Sequence, residues 1–446
     1  MRVRSWLATC STSTSATAAR DSSILFSKKQ PPSPKNLLSD SSGASDAHGS
    51  SSSSSSPTTS DASSVSLQSN LSLQTLPSVP SIQKLTPENL NLSVSYSCAN
   101  SFQPQPKLPI TSIAVHGDLI YAASGHEINV YDRNSCKLLD TFNDKDSSSG
   151  SVKSISFCGG KIFTAHQDCK IRVWKMTITK EHKLLTVLPT VNDRLRRCIL
   201  PKNYINVRRH KKLLWIEHAD AVTALAVNNG LIYSVSWDRY LKIWRASDFR
   251  CLESIKAHDD AVNAVAVAAD GTVYTGSADC RIRVWAKPFN EKRHSLIATL
   301  EKHKSAINAL ALSADGSVLF SGACDRSILV WEREDSANHM VVTGALRGHG
   351  KAILSLINFS DMLLSGSADR TVRIWRRGHD GKYCCLAVLD GHNKPVKSLA
   401  ATSEGATNGV VSVFSGSLDG EIKAWQVSVS RSCCNPASPY QIKFVE

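Results

Sequence analysis

One pattern of four residues recurs along this chain and constrains its fold more strongly than any other feature. In six copies an aspartate lies six residues before a tryptophan, and a serine or threonine lies four residues before that aspartate. Five copies also have a histidine 20 to 27 residues before the aspartate. A self-similar period of about 40 to 45 residues predicts an array of like units that stack on one another. The five complete copies are His218, Ser234, Asp238 and Trp244; His258, Thr275, Asp279 and Trp285; His303, Ser321, Asp325 and Trp331; His349, Ser365, Asp369 and Trp375; and His392, Ser415, Asp419 and Trp425.

The spacing within each copy is explained by a buried polar relay inside a four-stranded unit. The histidine precedes the first strand, the hydroxyl lies on the second, the aspartate lies in the following turn, and the tryptophan ends the third. The histidine ring then links the aspartate to the hydroxyl, and the hydroxyl accepts from the indole N–H, so that each buried polar group has a partner. Such units cannot cover their own faces and pack side by side around an axis. We therefore predict that these residues are structural.

Two copies depart from the pattern. The sixth keeps Thr164, Asp168 and Trp174 but has serines and a glycine, at 147–150, where the histidine is expected. A seventh, degenerate copy ends in Tyr131 instead of tryptophan and lacks the aspartate. Seven third strands predict an all-β, seven-bladed propeller over residues 92–427. Alternation of apolar residues predicts that Leu92 to Ser97 closes the ring as an outer strand, with Tyr440 to Val445 as the alternative.

The two flanks of the propeller have a different composition. Residues 1–91 include seven consecutive serines, Ser50 to Ser56, and are predicted to be a disordered tail. Within it, the stretch from Ser66 to Gln83 is interpreted either as a short docking motif or as an extended lead along the side of the propeller. The first twenty residues have arginines and no acid, so an organelle transit peptide is an alternative. Residues 428–446 are predicted to be a C-terminal tail.

Composition argues against several classes of function. The 13 cysteines form no CxxC pair, and no apolar run approaches the roughly 18 residues that span a bilayer. There is no phosphate-binding loop, nucleophile elbow or metal-ligand spacing. The histidines and aspartates that could serve acid–base chemistry are those of the relay. We therefore expect a soluble, monomeric, non-catalytic protein of the cytoplasm and nucleus, without a cofactor or a metal.

The repeat signature resembles that of WD40 proteins. Three strings are more specific and resemble plant WD40 proteins of the JINGUBANG type: GHEINVYDR from Gly125, LPKNYINVRRHKKLLWIEHADAV from Leu200 and GSADCRIRVW from Gly276. The resemblance covers about residues 66–427. It implies a regulatory propeller of a plant cell that works through protein contacts in the nucleus or cytosol.

Candidate contact residues follow from the register of the repeat. In propellers of this kind the residues three and five positions past the histidine open onto the face that carries the aspartate turns. Trp237, directly before Asp238, is either an interface anchor or a residue that packs beneath the neighbouring insertion. The residues at the position five past the histidine that we select as candidates are Lys153, by register, Asn263, Asn308, Leu354 and Lys397.

A basic insertion at about residues 192–213 is the strongest candidate for function. These bounds of the insertion follow if Leu184 to Leu188 is the outer strand of blade 2. If Leu213 to Ile216 is that strand instead, the insertion lies on the opposite face. The segment from Arg194 to Lys212 contains no acid, which favours an acidic or phosphorylated protein partner. Its only stacking aromatic is Tyr204, so nucleic acid is a weaker candidate. The cations are Arg194, Arg196, Arg197, Lys202, Arg208, Arg209, Lys211 and Lys212.

The leading hypothesis is therefore a scaffold or regulator that binds proteins, including transcription regulators or phosphoproteins. The alternative is a substrate adaptor of a cullin-type ubiquitin ligase, which commonly has a W-D-x-R ending on a third strand. The tryptophans of this chain are followed by other residues, and only Tyr131-Asp132 approaches that motif.

Overall fold

The computed structural model describes residues 79–84, 92–143, 146–208, 211–333, 340–378, 380–403 and 410–431. Seven antiparallel four-stranded blades follow one another along the chain, one of them extended by a short fifth strand, and the innermost strand of each blade contacts those of both neighbours, including the first and the last. The protein is a seven-bladed all-β propeller, as predicted. Residues 1–78 and the alternative closing strand at 440–445 lie outside the described residues.

The strands are numbered in chain order. Two precede blade 1: β1 (Gln83–Lys84) and β2 (Leu92–Phe102). Blade 1 contains β3 (Ile110–His116), β4 (Leu119–Ser124), β5 (Glu127–Asp132) and β6 (Leu138–Phe142). Blade 2 contains β7 (Val152–Cys158), β8 (Lys161–His166), β9 (Ile171–Met176) and β10 (His182–Leu188). The connection to blade 3 contains helix α1 (Val191–Cys198), a 3-10 turn at Pro201–Asn203, and the hairpin of β11 (Tyr204–Arg208) and β12 (Lys211–Leu214).

The remaining blades are more regular. Blade 3 contains β13 (Val222–Asn228), β14 (Leu231–Ser236), β15 (Tyr240–Arg245) and β16 (Cys251–Lys256). Blade 4 contains β17 (Val262–Val267), β18 (Val273–Ser277), β19 (Ile282–Ala286) and β20 (Ser295–Leu300). Blade 5 contains β21 (Ile307–Leu312), β22 (Val318–Ala323), β23 (Ile328–Arg333) and β24 (Met340–Leu346). Blade 6 contains β25 (Ile353–Phe359), β26 (Met362–Ser367), β27 (Val372–Arg377) and β28 (Tyr383–Leu389). Blade 7 contains β29 (Val396–Ser403), β30 (Val410–Ser417) and β31 (Ile422–Arg431), with β2 as its fourth strand.

Ring closure joins the two ends of the propeller. Strand β2 pairs antiparallel with β31, from Leu92 opposite Arg431 to Phe102 opposite Ile422. The outer strand of blade 7 is therefore supplied by the N-terminal side, and it is longer than the predicted Leu92 to Ser97. Strand β31 also continues four residues past the predicted end of the propeller at residue 427.

The second strand of each blade is buried on both sides because neighbouring blades cover both of its faces. Strands β22 and β26 have no exposed residue, so they lack the alternation of a sheet with one wet face. A glycine follows the relay hydroxyl in four blades, where the next blade approaches closely. A Cβ on Gly322 would lie 2.5 Å from Ile353 Cγ2 of the next blade. Glycine at this position therefore sets the blade-to-blade distance.

An extended segment before the ring lies along its side. The backbone of residues 80–82 bonds to Ala345 of β24 and to Tyr383 of β28, and β1 pairs in parallel with β28. Ile82 packs in the apolar cluster between blades 5 and 6, where Gly344 leaves the space for its side chain. Residues 79–84 thus form an extended lead along the propeller, whereas residues 66–78, for which a docking motif was the other interpretation, lie outside the described residues.

Candidate protein-interaction sites

The four relay residues come together in blades 3 to 6. The Asp Oδ2 to His Nδ1 distance is 2.8 Å in blades 3 and 6 and 2.9 Å in blades 4 and 5. The distance from His Nε2 to the hydroxyl is 2.7 to 2.9 Å, and the indole N–H donates to the same hydroxyl at 2.8 to 3.0 Å. The same aspartate oxygen accepts a backbone N–H next to the histidine, as from Gly350 in blade 6. The relay thus holds the loop that enters each first strand.

These contacts also fix the charge of the relay aspartates. Burial alone would raise the pKa of Asp279 and Asp325, but the bonds to the histidine rings and to backbone N–H groups lower the pKa of each to about 2. The pKa of Asp369 is lowered further for the same reasons. Each of these carboxylates is therefore ionised at neutral pH, so it has no proton to donate as a general acid. Its oxygens also already accept hydrogen bonds within its own blade.

Blade 7 departs from this arrangement at the histidine. His392 keeps its bond to Ser415, but its Nδ1 lies 4.0 Å from Asp419 Oδ2 and 3.8 Å from Glu421 Oε2, and it has no hydrogen-bond partner among the described residues. Glu421 is instead paired with Lys423 at 2.9 Å. Blade 7 thus has an open relay, which the sequence did not predict because His392 and Asp419 have the expected residue types.

Blade 2 replaces the missing histidine with two other side chains. Arg172 donates to both oxygens of Asp168, at 3.2 and 2.9 Å, and to Asp146 at 2.5 Å. The hydroxyl of Thr164 instead contacts His166 Nε2 at 2.7 Å, and Trp174 donates to Thr164 at 2.9 Å. Burial and the charge of Arg172 lower the pKa of His166 to about 3, so this ring is neutral at physiological pH.

The position five past the histidine has a structural meaning that the sequence did not reveal. In all seven blades it lies in a β-bulge of the innermost strand, as at Thr223 between Val222 and Ala224. In four blades its side chain donates to the first carbonyl of the next innermost strand. The donors are Thr111 to Val152, Thr223 to Val262, Asn263 to Ile307 and Asn308 to Ile353, at 2.5, 2.7, 2.9 and 2.8 Å. We call these bonds interblade latches.

The latches change the interpretation of two candidate contact residues. Asn263 and Asn308 were predicted to be available to a partner, but their amide groups bond to the neighbouring blade. Similarly, the alanines three past the histidine were predicted to be exposed, and Ala221, Ala261 and Ala352 are buried. Their small size lets the loops pack closely instead.

Three blades have no latch side chain of this kind, because their bulge residues are Lys153, Leu354 and Lys397. All three are partly exposed and lie on innermost strands of the ring. We call the space enclosed by the seven innermost strands the central channel. The Lys153 ammonium lies 5.9 Å from the centre of the Trp237 ring. Trp237 is itself partly exposed, and the side chain over its ring belongs to the innermost strand of blade 2.

The basic insertion is anchored to the outer edge of blade 3. Strand β10 is the outer strand of blade 2, paired with β9 from His182 to Leu188, so the first of the two alternatives is the one in the structure. Asp193 of α1 accepts from the N–H of Cys251, the first residue of β16, and Arg197 donates to the Cys251 carbonyl. The insertion was predicted to lie beside Trp237. The structure packs it against the outermost strand of the blade instead.

Two of the eight predicted cations are neutralised by acids just outside the basic segment. Arg197 pairs with buried Asp193 at 3.0 Å, and its guanidinium lies 4.5 Å from the centre of the Trp215 ring. Arg194 pairs with Glu217 at 2.9 Å. These two arginines therefore hold the insertion in place. The side chains of Arg208 and Lys211, and residues 209–210, are outside the described part of the chain.

The remainder of the insertion presents a mixed basic and apolar surface. Thr190 caps α1 by accepting from Asp193 N–H, and Tyr204 and Asn203 bond to the carbonyls of Cys198 and Arg197 at its end. The helix is therefore fixed at both ends. Its outer side exposes Val191, Leu195 and Ile199 by 72, 60 and 80%. The spacing of four residues is a signal of this apolar side in the sequence, where it is interleaved with the cations. Arg196, Lys202 and Lys212 are exposed in the same insertion.

No helix among the described residues is long and apolar enough to cross a membrane.

Comparison with known proteins agrees with the blade count on the C-terminal side. Residues 211–245, 249–286, 294–332, 340–376 and 383–426 match the family model described as WD domain, G-beta repeat, and these ranges correspond to blades 3 to 7. A kinesin-like protein, KIF21B of Homo sapiens, is 22% identical over 184 residues, which are 40% of this chain and 9% of that protein. The Mus musculus protein of the same name is 21% identical over 202 residues, 42% of this chain and 10% of the relative. The match thus spans about a tenth of the length of these relatives.

Proposed function

Because the chain is a WD40-repeat protein, and such propellers typically act as protein-interaction scaffolds, we propose that it is a non-catalytic scaffold that binds acidic or phosphorylated proteins. The observation that carries this proposal is the surface of the insertion. A helix held at both ends and against blade 3 exposes three apolar side chains, with Arg196 between them and two exposed lysines in the same segment. An acidic amphipathic segment complements both properties of this surface.

The charge of the whole chain supports the same class of partner. The formal net charge is +14, which favours association with acidic proteins and raises their rate of encounter at low salt. The resemblance of three strings to plant proteins of the JINGUBANG type supports a regulatory role in the nucleus and cytoplasm, with transcription regulators among the partners. The adaptor hypothesis has less support, because Asn134 occupies the arginine position of the W-D-x-R motif and Asp132 accepts hydrogen bonds from Ser135 of the chain itself.

The test is capture of partners from a plant extract by the full-length protein, followed by surface plasmon resonance with the captured proteins. The variant is Leu195→Asp with Arg196→Gln, Lys202→Gln and Lys212→Gln. We expect it to lose a defined set of acidic proteins, and to show slower association and a weaker salt dependence with each of them.

The control removes three cations elsewhere: Lys137→Gln, Lys287→Gln and Lys292→Gln, all at exposed positions of blades 1 and 4. It should retain the same partners. If both variants retain all partners with unchanged rates, the insertion is not the interface. Capture of ligase subunits by the wild type would instead support the adaptor hypothesis.

A further inference from the structure

Two lysines at the mouth of the central channel have no structural task. Lys153 and Lys397 occupy the bulge position that in four blades forms an interblade latch. Among the described residues, neither ammonium makes a hydrogen bond within 3.5 Å or an ion pair within 4.0 Å. Leu354 occupies the same position in blade 6, so the fold accepts an apolar side chain there. A lysine is therefore not required for the bulge.

The two positive charges act on one another. Burial and, to a smaller extent, the charge of Lys153 lower the pKa of Lys397 to about 8, and Cys324 of blade 5 acts in the opposite direction. Burial also lowers the pKa of Lys153, whose ammonium lies 5.9 Å from the centre of the Trp237 ring. Two like charges are thus held in a partly dehydrated space, although a neutral residue is compatible with the same position, as Leu354 shows in blade 6.

We propose that Lys153 and Lys397 form an anion-binding site in the central channel, which receives one carboxylate or phosphate group from a segment of a partner protein. Blade 1 separates the two lysines along the ring, so that they approach a bound group from two sides. Trp237 forms an apolar wall next to Lys153 and suits the backbone or an apolar neighbour of the anionic residue. Because the partner is a protein, this inference rests on the proposed function, but the site is distinct from the insertion.

Physical chemistry explains why such a site binds an anion tightly. An ammonium that has already lost much of its hydration gains more from a charge-assisted bond than a fully exposed lysine does. A single anion also screens the repulsion between the two lysines. Lys351 and Lys394 are exposed and lie in the loops that enter blades 6 and 7, so they provide matched lysines without this environment.

The test uses three nonapeptides, Gly-Gly-Ser-Gly-X-Gly-Ser-Gly-Gly, with X as phosphoserine, aspartate or serine; each has an amidated C-terminus and an uncharged fluorescent dye at its N-terminus, so that X is the only anionic group. Fluorescence anisotropy with the full-length protein should show saturable binding when X is phosphoserine or aspartate, and at least tenfold weaker binding when X is serine. Inorganic phosphate should compete. Lys153→Met and Lys397→Met should each weaken binding of the phosphoserine peptide at least tenfold, whereas Lys351→Met and Lys394→Met should change it less than twofold.

The thermal unfolding of each variant shows whether it is folded, and Lys153→Arg with Lys397→Arg provides a folded variant that keeps both charges and should retain charge preference. Equal affinity for all three peptides, or equal losses in the channel and control variants, would overturn the proposal. The outcomes also separate the two hypotheses. If the insertion variant loses its partners while the peptides show no charge preference, the proposed function stands and the channel site is wrong.

Discussion

Blades 3 to 6 and blades 7, 1 and 2 form two contrasting regions of one ring. The first four have complete relays, with the aspartate and histidine 2.8 to 2.9 Å apart. In blade 7 the same pair is 4.0 Å apart, blade 1 lacks the tryptophan and the aspartate, and blade 2 uses Arg172 and His166. Both lysines of the channel lie in the irregular region. In blades 3 to 6 the relay residues bond to one another, whereas in blades 7 and 2 the ammonium groups of Lys397 and Lys153 make no hydrogen bond or ion pair with the described residues.

The difference shows that the regularity of the repeat and the presence of candidate binding residues are separate properties of this protein. A residue type that recurs at one position in most blades satisfies a requirement of the blade, which accounts for the relay and, in four blades, for the glycine opposite the next innermost strand. A residue that replaces a latch in one blade does not meet that requirement. The contrast predicts opposite changes in the free energy of unfolding. Removing a residue of the first kind should lower it, and removing one of the second kind should raise it.

The largest expected effect is the loss of a relay aspartate in the regular region. In Asp369→Ala, His349 Nδ1, Gly350 N–H and Thr371 lose their acceptor in a largely buried site. We expect the free energy of unfolding to fall by about 2 to 3 kcal/mol, measured by urea denaturation at pH 7.

The matched variant is Asp419→Ala in blade 7. Asp419 accepts from the N–H groups of Asn393 and Glu421 but not from His392, so its removal should cost about 1 kcal/mol less. Equal losses in the two variants would show that the relay of blade 7 is closed in solution, and the contrast between the regions would be weaker.

The fold could be predicted because the constraint that creates it is local and repeated. The spacing of Ser365, Asp369 and Trp375 is fixed by one strand, one turn and the next strand, so the sequence contains the whole motif. Seven third strands then determine the number of blades. The closing strand could not be decided from the sequence, because two segments alternate equally well and only pairing with β31 distinguishes them.

The sites were harder to predict because their contacts join distant parts of the chain. Asn263 meets a carbonyl 44 residues away, and Asp193 meets an N–H 58 residues away. Charge counting identified Arg194 and Arg197 as free cations, yet both are paired within the fold. Lys153 and Lys397 were recognised as candidates by register alone. Their shared environment depends on the geometry of the ring, which no local pattern describes.

The second prediction concerns Lys397→Met, which should stabilise the protein. Burial lowers the pKa of Lys397 from 10.5 to about 8, so holding the charged form in the folded state at pH 7 is unfavourable. Allowing for the remaining exposure, the variant should gain about 2 kcal/mol at pH 7. Lys394→Met, at an exposed position, should stay within about 0.5 kcal/mol of the wild type.

The pH dependence gives this prediction a second readout. Between pH 8 and 10.5 the unfolded chain retains the proton on this lysine while the folded protein loses it, so the wild type gains stability as pH rises. The advantage of Lys397→Met should therefore shrink between pH 7 and pH 9.5. A constant difference over that range would mean that the gain comes from packing, and that the charge of Lys397 carries no penalty.

The smallest expected effect comes from repairing the repeat at Leu354. This residue occupies the bulge of blade 6, where Asn308 of blade 5 donates to the first carbonyl of the next innermost strand. In Leu354→Asn the new amide can donate to the carbonyl of Val396, and one net hydrogen bond should raise the free energy of unfolding by about 0.5 to 1 kcal/mol. The reciprocal variant, Asn308→Leu, removes a latch and should lower it by a similar or larger amount. Urea denaturation of both variants measures the two changes in the free energy of unfolding.

Because Leu354 is only partly buried, little apolar contact is lost in the exchange, and the sign of the change reports the latch. If Leu354→Asn destabilises as much as Asn308→Leu does, the bulge residue acts through local packing, and the absence of a latch at Lys153 and Lys397 no longer distinguishes those lysines from the rest of the ring.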